Sequence, residues 1–350
     1  MNFSKKAKFV RANTNVVYGS IFCIIIIVFI LTSCSGKAKY EKCEGMIWNT
    51  LYHVTYQGPE NLKDSIMPVL NNVGESLSVF DKNSLVSKLN TLDSVKGDIH
   101  LLMVYDTSKE IHRISKGKFD PTVSPLVDAW GFGIGHTPTT DTLLIDSLLQ
   151  FTGIEKTRHK GEFIVKDDLR TRFNFSAIAK GYGCDAVGEM LRRGGVKNYM
   201  VEIGGEIRMS GSGPTGEGWL IAVDAPVEDN APGETTALIM ELTNVGLATS
   251  GNYRNYRIEN GQKLAHTISP KTGRPVLSEI LSATVIASDC MTADGLATAC
   301  MAGTLQEALN ILQESGTEGM FILTDSTVMT PGFKKYVISE VSEPGKTGRN

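Results

Sequence analysis

Tyr199-Met-Val-Glu-Ile203-Gly-Gly-Glu206-Ile-Arg-Met-Ser210 alternates apolar and polar residues on both sides of a Gly-Gly pair. Alternation of period two puts successive side chains on opposite faces of a strand. Glycine there permits a tight hairpin or the close approach of a ligand, and the hairpin alone is sufficient reason for both. The stretch reads as two strands in direct succession, 199–203 and 206–210. Further strands at 218–223, 236–242 and 263–268 follow with turn residues between, and Ala283–Ala287 is another. Strands that run consecutively exclude a strict βαβ alternation. They predict an α+β class of mixed, largely antiparallel sheets with packed helices.

Working outward, Leu62, Ile66, Val69, Leu70, Val73 and Leu77 recur at spacings of three and four, an amphipathic helix despite Pro68. Upstream of it a strand covers Thr50 to Tyr56. A second helix runs between Asp98, a candidate N-cap, and Gly117, a candidate C-cap, and a third covers about 141–152. Phe163–Lys166 and Thr171–Phe175 read as short strands, and Ser176 to Arg193 as a helix weakened by Gly181, Gly183 and Gly188. Thr304-Leu-Gln-Glu307 is a capping box opening the last helix. Gly319 to Met329 reads as a terminal hairpin and Glu340 to Asn350 as a polar tail.

Gly211-Ser-Gly-Pro-Thr-Gly216 fits G-x-G-x-x-G, yet a strand follows it where a dinucleotide fingerprint needs a helix. It is a turn, and no G-x-x-x-x-G-K-[ST] occurs.

At the N-terminus, Lys5, Lys6, Lys8 and Arg11 precede an apolar run peaking at Ile24-Ile-Ile-Ile-Val-Phe-Ile30, and Leu31-Thr-Ser-Cys34 closes it. That pattern suits a cleaved signal, with an uncleaved anchor and a chance cysteine as the alternative. Loss of residues 1–33 removes four Lys/Arg and no Asp/Glu, taking the formal net charge from −3 to −7. No long basic run remains, which argues against nucleic acid as a partner. Residues 34–44 read as a short polar tether, 45–338 as one large domain and 339–350 as the tail. Cys23 leaves with the leader. Cys43, Cys184, Cys290 and Cys300 contain no C-x-x-C; their spacing is neither a zinc pattern nor a disulfide framework, and their pairing is open.

Several segments carry chemistry. In Asp289-Cys-Met-Thr-Ala-Asp294-Gly-Leu-Ala-Thr298, Asp294 and Thr298 lie four apart, one above the other on a helix. Oxygen ligands of that kind suit a hard cation such as Mg²⁺; a buried polar stripe or a solvated pair is the plain alternative. Phe175-Ser-Ala-Ile-Ala-Lys-Gly181 sits where a strand becomes a helix, a junction that offers free N–H groups to phosphate, with Lys180 either neutralising phosphate charge or an ordinary solvated lysine. In Gly117-Lys-Phe-Asp-Pro-Thr122, Asp120-Pro121-Thr122 begins a turn, and Trp130 and Phe132 could wall a pocket for a flat ring. Thr249-Ser-Gly-Asn-Tyr-Arg-Asn-Tyr-Arg257 could meet an anionic aromatic ligand or be an exposed hairpin. His266-Thr-Ile-Ser-Pro-Lys-Thr-Gly273 places a histidine before a Pro/Gly loop, either a general base near neutral pH or a structural residue.

Taken in order, these segments resemble the FAD:protein FMN transferase family, the ApbE-type flavin transferases. The matching residues are Gly45-Met46, Leu77-Ser-Val-Phe80 through Ser84 and Asn90, Phe119-Asp-Pro-Thr with Pro125-Leu, and Trp130-Gly-Phe-Gly133. They continue through Asn174 to Gly181, Glu202 to Glu206, Thr249 to Arg254, His266 with Pro270 and Thr272-Gly273, and Met291 to Thr298. The family often carries an acidic residue where Ser269 stands, and Gly where Ser124 stands.

The resemblance implies a T-fold-like α+β architecture and an enzyme that binds FAD with Mg²⁺. Such an enzyme transfers FMN through its phosphate to a Thr or Ser hydroxyl of a target protein and releases AMP. Carried over by motif, Asp294, Thr298 and the backbone of Ala177 would hold the metal. Met46, Phe80, Lys118, Phe119, Asp120, Asn174, Lys180 and Ile268 would line the FAD site. His266 would be the base, with Lys180 and Asp294 supporting the chemistry. The Leu31–Cys34 run resembles a bacterial lipobox, implying a lipid on Cys34, a palmitate-type anchor and a membrane lipoprotein outward of the cytoplasm, on the periplasmic side. The acceptor would be an exported subunit of a membrane redox complex, such as Na⁺-translocating NADH:quinone reductase or an Rnf-type complex. An FAD pyrophosphatase giving FMN and AMP, or a flavin-carrying lipoprotein without chemistry, are the rival readings.

Overall fold

A computed structural model describes residues 39–133, 138–139, 141–224, 236–252, 256–259 and 262–340. The leader, Cys34, the stretch Tyr253 to Asn255 and the tail from residue 341 lie outside them. The chain opens with β1 (Tyr40–Ile47) and β2 (Thr50–Gln57), followed by α1 (Lys63–Leu77), α2 (Leu85–Leu89), β3 (Ser94–Lys96) and α3 (Ile99–Ile114). Next come α4 (Ser124–Ala129), α5 (Thr142–Leu149), β4 (Thr157–Lys160), β5 (Phe163–Lys166) and α6 (Ala179–Arg193). The strand block is β6 (Tyr199–Ile203), β7 (Glu206–Ser210), β8 (Trp219–Asp224), β9 (Thr236–Leu242) and β10 (Gly246–Gly251). After the hairpin β11 (Tyr256–Glu259) and β12 (Gln262–Ala265) come β13 (Ile280–Ala287), α7 (Cys290–Met301) and α8 (Leu305–Ser315), then β14 (Glu318–Leu323), β15 (Thr327–Met329) and β16 (Val337–Glu340). Among the described residues no helix is long and apolar enough to cross a membrane.

The strand block supplies three strands, β6, β7 and β10, of an eight-stranded sheet of order β1-β2-β6-β7-β10-β13-β14-β15, while β8 and β9 pair with β16 in a three-stranded sheet. Each neighbouring pair in the larger sheet is antiparallel. The α+β reading is therefore what the chain adopts. Gly204 and Gly205, at φ 60° and 102°, form the two-residue turn between β6 and β7. The G-x-G-x-x-G segment is a turn between β7 and β8, closed by Gly213 N–H to the Glu217 carbonyl at 2.7 Å.

Packing explains where the helices sit. α7 buries ten of its twelve residues, most of them small or apolar, between β10 and β13 on one side and α6 on the other. Burying a side chain of Leu or Met size yields about 1.5–3 kcal/mol, which Leu296 and Met301 contribute to the main core with Val285, Ile178 and Phe321. Local signals hold at the helix starts. The Asp98 carboxylate accepts from Leu101 N–H at 2.8 Å, and the Thr304–Glu307 capping box is closed in both directions. The helix from Asp98 ends earlier than Gly117, with Ser115 as its C-cap.

Four further expectations need correction. The tether predicted for residues 34–44 gives way at Tyr40 to β1, an edge strand paired with β2 along its whole length. At the other end β16 carries ordered structure to Glu340, past the boundary expected at 338. Thr171–Phe175 forms no strand and belongs to no sheet. Its polar backbone is met by Asn90 instead, whose side-chain amide donates to the Phe173 carbonyl at 2.9 Å and accepts from Phe173 N–H at 2.6 Å. The strand expected over 263–268 is β12, ending at Ala265.

Candidate functional site

The Asx turn at Asn174, whose Oδ1 accepts from Ser176 N–H at 2.9 Å, steers the chain toward α6. This turn leaves the Ala177 carbonyl just ahead of the helix, and Thr298 Oγ1 of α7 lies 3.4 Å from it. One turn back on α7, the buried Asp294 carboxylate accepts from Gly181 N–H at 3.0 Å. The two helices approach so closely that a Cβ on Gly181 would stand 2.4 Å from the Cys290 carbonyl oxygen. Glycine is required there for contact, not for conformation.

Lys180 faces two carboxylates. It is ion-paired to Glu206 of β7, and Asp294 acts on it from α7. Burial alone would pull the ammonium down, but the two carboxylates hold it above its ordinary value, so it is protonated. Burial pushes both carboxyls up, and one ammonium serves the pair. A carboxylate, a hydroxyl and a backbone carbonyl are hard oxygen donors of the kind Mg²⁺ takes. The residues present therefore fit a divalent cation at Asp294, Thr298 and Ala177.

These groups open into a cleft of about 520 Å³, within the size range of small-molecule sites. Ten sequence-predicted residues line it: Lys118, Phe119, Asp120, Asn174, Ala177, Lys180, His266, Ile268, Asp294 and Thr298. Several are also committed structurally. The Asp120 carboxylate accepts from Thr122 N–H at 2.8 Å and Ile154 N–H at 3.0 Å, and lies 3.3 Å from His112 Nδ1. Lys118 is paired with Glu307 at 2.9 Å. Asn174 N–H donates to the Pro121 carbonyl at 2.8 Å, stitching two cleft loops together.

Met46 and Phe80 are not among the lining residues. Both are exposed apolar side chains, at 69% and 67%. The end of the β1–β2 hairpin nonetheless reaches the cleft wall. Leu51 accepts from Gly204 N–H at 3.0 Å through its carbonyl, and Gly204 sits against Thr50 and Lys180.

His266, another lining residue, is half-buried, with Phe132 edge-on at 6.4 Å between ring centroids. Its loop is held by Ser269 N–H to the Arg274 carbonyl at 2.9 Å, by Trp130 Nε1 to the Gly273 carbonyl at 2.7 Å, and by Thr267 Oγ1 to Asn252 Oδ1 at 2.7 Å. Trp130 and Phe132 thus support the histidine loop and do not themselves line the cleft. Of the Thr249–Arg257 segment, Thr249, Ser250 and Gly251 line it, and Ser250 Oγ is 3.4 Å from Thr298 Oγ1. Tyr253 and Arg254 lie outside the described residues. Glu206 enters as Lys180's partner; the sequence showed it only as a flank of the Gly-Gly turn. Among the described residues Cys43, Cys184, Cys290 and Cys300 are all free thiols.

Oxygen donors, a protonated lysine and an accessible histidine around one cleft define a class of site suited to phosphate chemistry on an α+β scaffold. The ApbE family matches residues 48–321, and this chain belongs to it. A protein of Vibrio cholerae serotype O1, an FAD:protein FMN transferase, is 33% identical over 89% of this chain and 95% of its own length. The FAD:protein FMN transferase of Haemophilus influenzae is 32% identical over 87% and 94%. Among solved structures, the flavin transferase ApbE from Vibrio cholerae matches with a TM-score of 0.77 at 31% identity, covering 85% of this chain and 99% of that one. The apo form of Pseudomonas stutzeri flavinyl transferase ApbE matches with a TM-score of 0.78 at 29% identity, covering 87% and 98%.

Proposed function

We propose that this protein is an FAD:protein FMN transferase that moves FMN from FAD onto a Thr or Ser hydroxyl of an acceptor protein and releases AMP in a Mg²⁺-dependent reaction. The observation that carries the reading is the convergence of Asp294, Thr298, Lys180 and His266 on one cleft, in a chain of the ApbE family. Cleaving a pyrophosphate demands positioning and charge neutralisation more than covalent help. Lys180, held protonated by Glu206 and Asp294, places a fixed positive charge where phosphoryl oxygens gain negative charge. Mg²⁺ held by Asp294, Thr298 and the Ala177 carbonyl would neutralise charge on the pyrophosphate oxygens when bound. His266 takes the proton from the incoming hydroxyl as its oxygen bonds to the FMN phosphorus. The phosphorus–oxygen bond to AMP breaks, and AMP leaves with the electron pair. Phe132 and the Trp130–Gly273 bond orient the histidine loop for that task.

The proposal includes location and partner. Residues 1–33 act as a leader, Cys34 carries the lipid, and the domain works outside the cytoplasm on an exported subunit of a membrane redox complex. The support is the sequence of the leader and the acidic balance of the remainder.

Incubating the chain with FAD, Mg²⁺ and a candidate acceptor domain, followed by intact-mass analysis of the acceptor, tests the activity. A gain of one FMN phosphoester that disappears without Mg²⁺ is the expected result. FAD split to free FMN and AMP, with an acceptor known to be modified by a relative, would establish the pyrophosphatase instead. Intact FAD would establish a flavin carrier.

A further inference from the structure

The N–H groups of the N-cap and the first three helical residues have no partner within a helix, and α7 opens on two buried residues, Cys290 and Met291. Asp289, its N-cap, accepts from Thr292 N–H at 2.8 Å. Those two find their acceptor outside the helix: the Asp185 carboxylate on α6 accepts from Cys290 N–H at 3.0 Å and Met291 N–H at 2.8 Å, one to each oxygen. Asp294 of α7 does the reverse service, accepting from Gly181 N–H in the first turn of α6 at 3.0 Å. Each helix thus caps the other's N-terminus with a carboxylate from its own first two turns. Cys290, Asp294 and Thr298 are spaced i, i+4, i+8, so they share one ridge of α7. Fixing the amide of Cys290 sets the axial position and rotation of the ridge that carries Asp294 and Thr298. The Ala177 carbonyl is set from the α6 end by the same exchange. Arg208 of β7 adds to the anchor, with Nε 3.6 Å from Asp185 and its guanidinium on the Ser288 carbonyl.

We infer that Asp185 is a positioning residue for the metal-binding oxygens: it acts through α7, never touching the cation, and holds Asp294 and Thr298 at the Ala177 carbonyl. This rests on the reading of those three groups as the metal site.

The test compares Asp185→Ala and Asp185→Asn with wild type in the full chain. Mn²⁺ binding is followed by electron paramagnetic resonance, and FAD binding without metal by flavin fluorescence. Asp294→Ala serves as the control that removes a ligand. An amide side chain offers one acceptor oxygen where the carboxylate offers two, so Asn keeps one of the two hydrogen bonds. The expected result is Mn²⁺ affinity weakened about tenfold or more in Asp185→Ala and less in Asp185→Asn, with metal-free FAD affinity changed by less than about threefold. The half-saturating Mg²⁺ concentration for turnover should rise in parallel. If Asp185→Ala fails to fold, the Asn variant decides by the same measurement. Unchanged Mn²⁺ affinity in a folded Asp185 variant, or FAD affinity falling in step with Mn²⁺ affinity, overturns the positioning role. If wild type and Asp294→Ala bind Mn²⁺ alike, the metal site itself is misassigned and this inference falls with it.

Discussion

The two sides of the cleft are built on opposite plans. On the α6–α7 side, Asp294 is buried and hydrogen-bonded to backbone, Lys180 is paired, and a Cβ cannot be added to Gly181 without displacing the neighbouring helix. On the other side, His266 is half-buried on a loop tied down by Trp130 and Thr267, while Met46 and Phe80 stand exposed outside the cleft lining. The difference teaches which part of the reaction is prepaid. Charge neutralisation works best from groups already fixed and dry, so those sit in the packed helix pair. On the proposed function a bulky donor and a protein acceptor must enter and leave, which the less buried histidine loop would allow.

Removing the buried acid is the harshest test of the fixed side. Asp294→Ala should lower Mg²⁺-dependent transfer by at least about 10³-fold, because a bound metal contributes several kcal/mol to charge stabilisation. Steady-state kinetics over a Mg²⁺ series checks it, with circular dichroism confirming the fold; full activity would remove the metal assignment. His266→Ala should slow transfer by about 10²-fold or more while FAD affinity holds within about threefold. An unchanged rate with collapsed FAD affinity would make His266 a binding residue and erase the contrast between the sides.

Gly181→Ala sharpens the contrast from within the packed half. Its Cβ would lie 2.8 Å from Asp294 Cβ as well as against the Cys290 carbonyl. Overpacking of this kind costs about 1–3 kcal/mol, visible as a melting temperature a few degrees lower, with a raised Mg²⁺ requirement. Phe80→Ala should do the opposite, raising KM for FAD several-fold with no change in stability or Mg²⁺ dependence. Equal effects of the two variants on the Mg²⁺ requirement would contradict the division.

The smallest effect concerns pH. Burial pulls the His112 imidazole down, but the Asp120 carboxylate, the Phe119 carbonyl and Glu155 outweigh it and hold its pKa above 6.5. A raised folded value means that its contribution to stability is complete below pH 6.5 and fades as pH rises through that folded value. The melting temperature of wild type should therefore exceed that of His112→Gln most at pH 6, with the gap narrowing toward pH 8. A gap independent of pH would show that the ring matters only as a neutral hydrogen-bonding group.

How much of this was legible depended on whether the signal is local. The Asp98 N-cap, the Thr304–Glu307 box and the Gly204-Gly205 turn are carried by residues a few positions apart, and the sequence shows them. Asp294 and Thr298 share a ridge, so their pairing was readable once a helix was inferred. Tyr40–Ile47 was not readable as a strand, because an edge strand with mostly half-exposed side chains lacks an apolar stripe. Phe173 and Phe175 gave Thr171–Phe175 the alternation of a strand, but its backbone partner is a side chain, Asn90, 83 residues away. The same distance problem hid Glu206 and Asp185, whose roles exist only through Lys180 and through the start of α7. Met46 and Phe80 were reached by resemblance alone, and the described cleft does not include them in its lining.

The most direct test is a crystal of the His266→Ala protein with FAD and Mn²⁺, read by anomalous diffraction at the manganese edge. The account predicts one strong peak coordinated by Asp294, Thr298 and the Ala177 carbonyl, against the FAD pyrophosphate, with Lys180 on its other oxygens and the flavin toward Met46 and Phe80. A peak elsewhere, or a pyrophosphate out of reach of those oxygens, would contradict it.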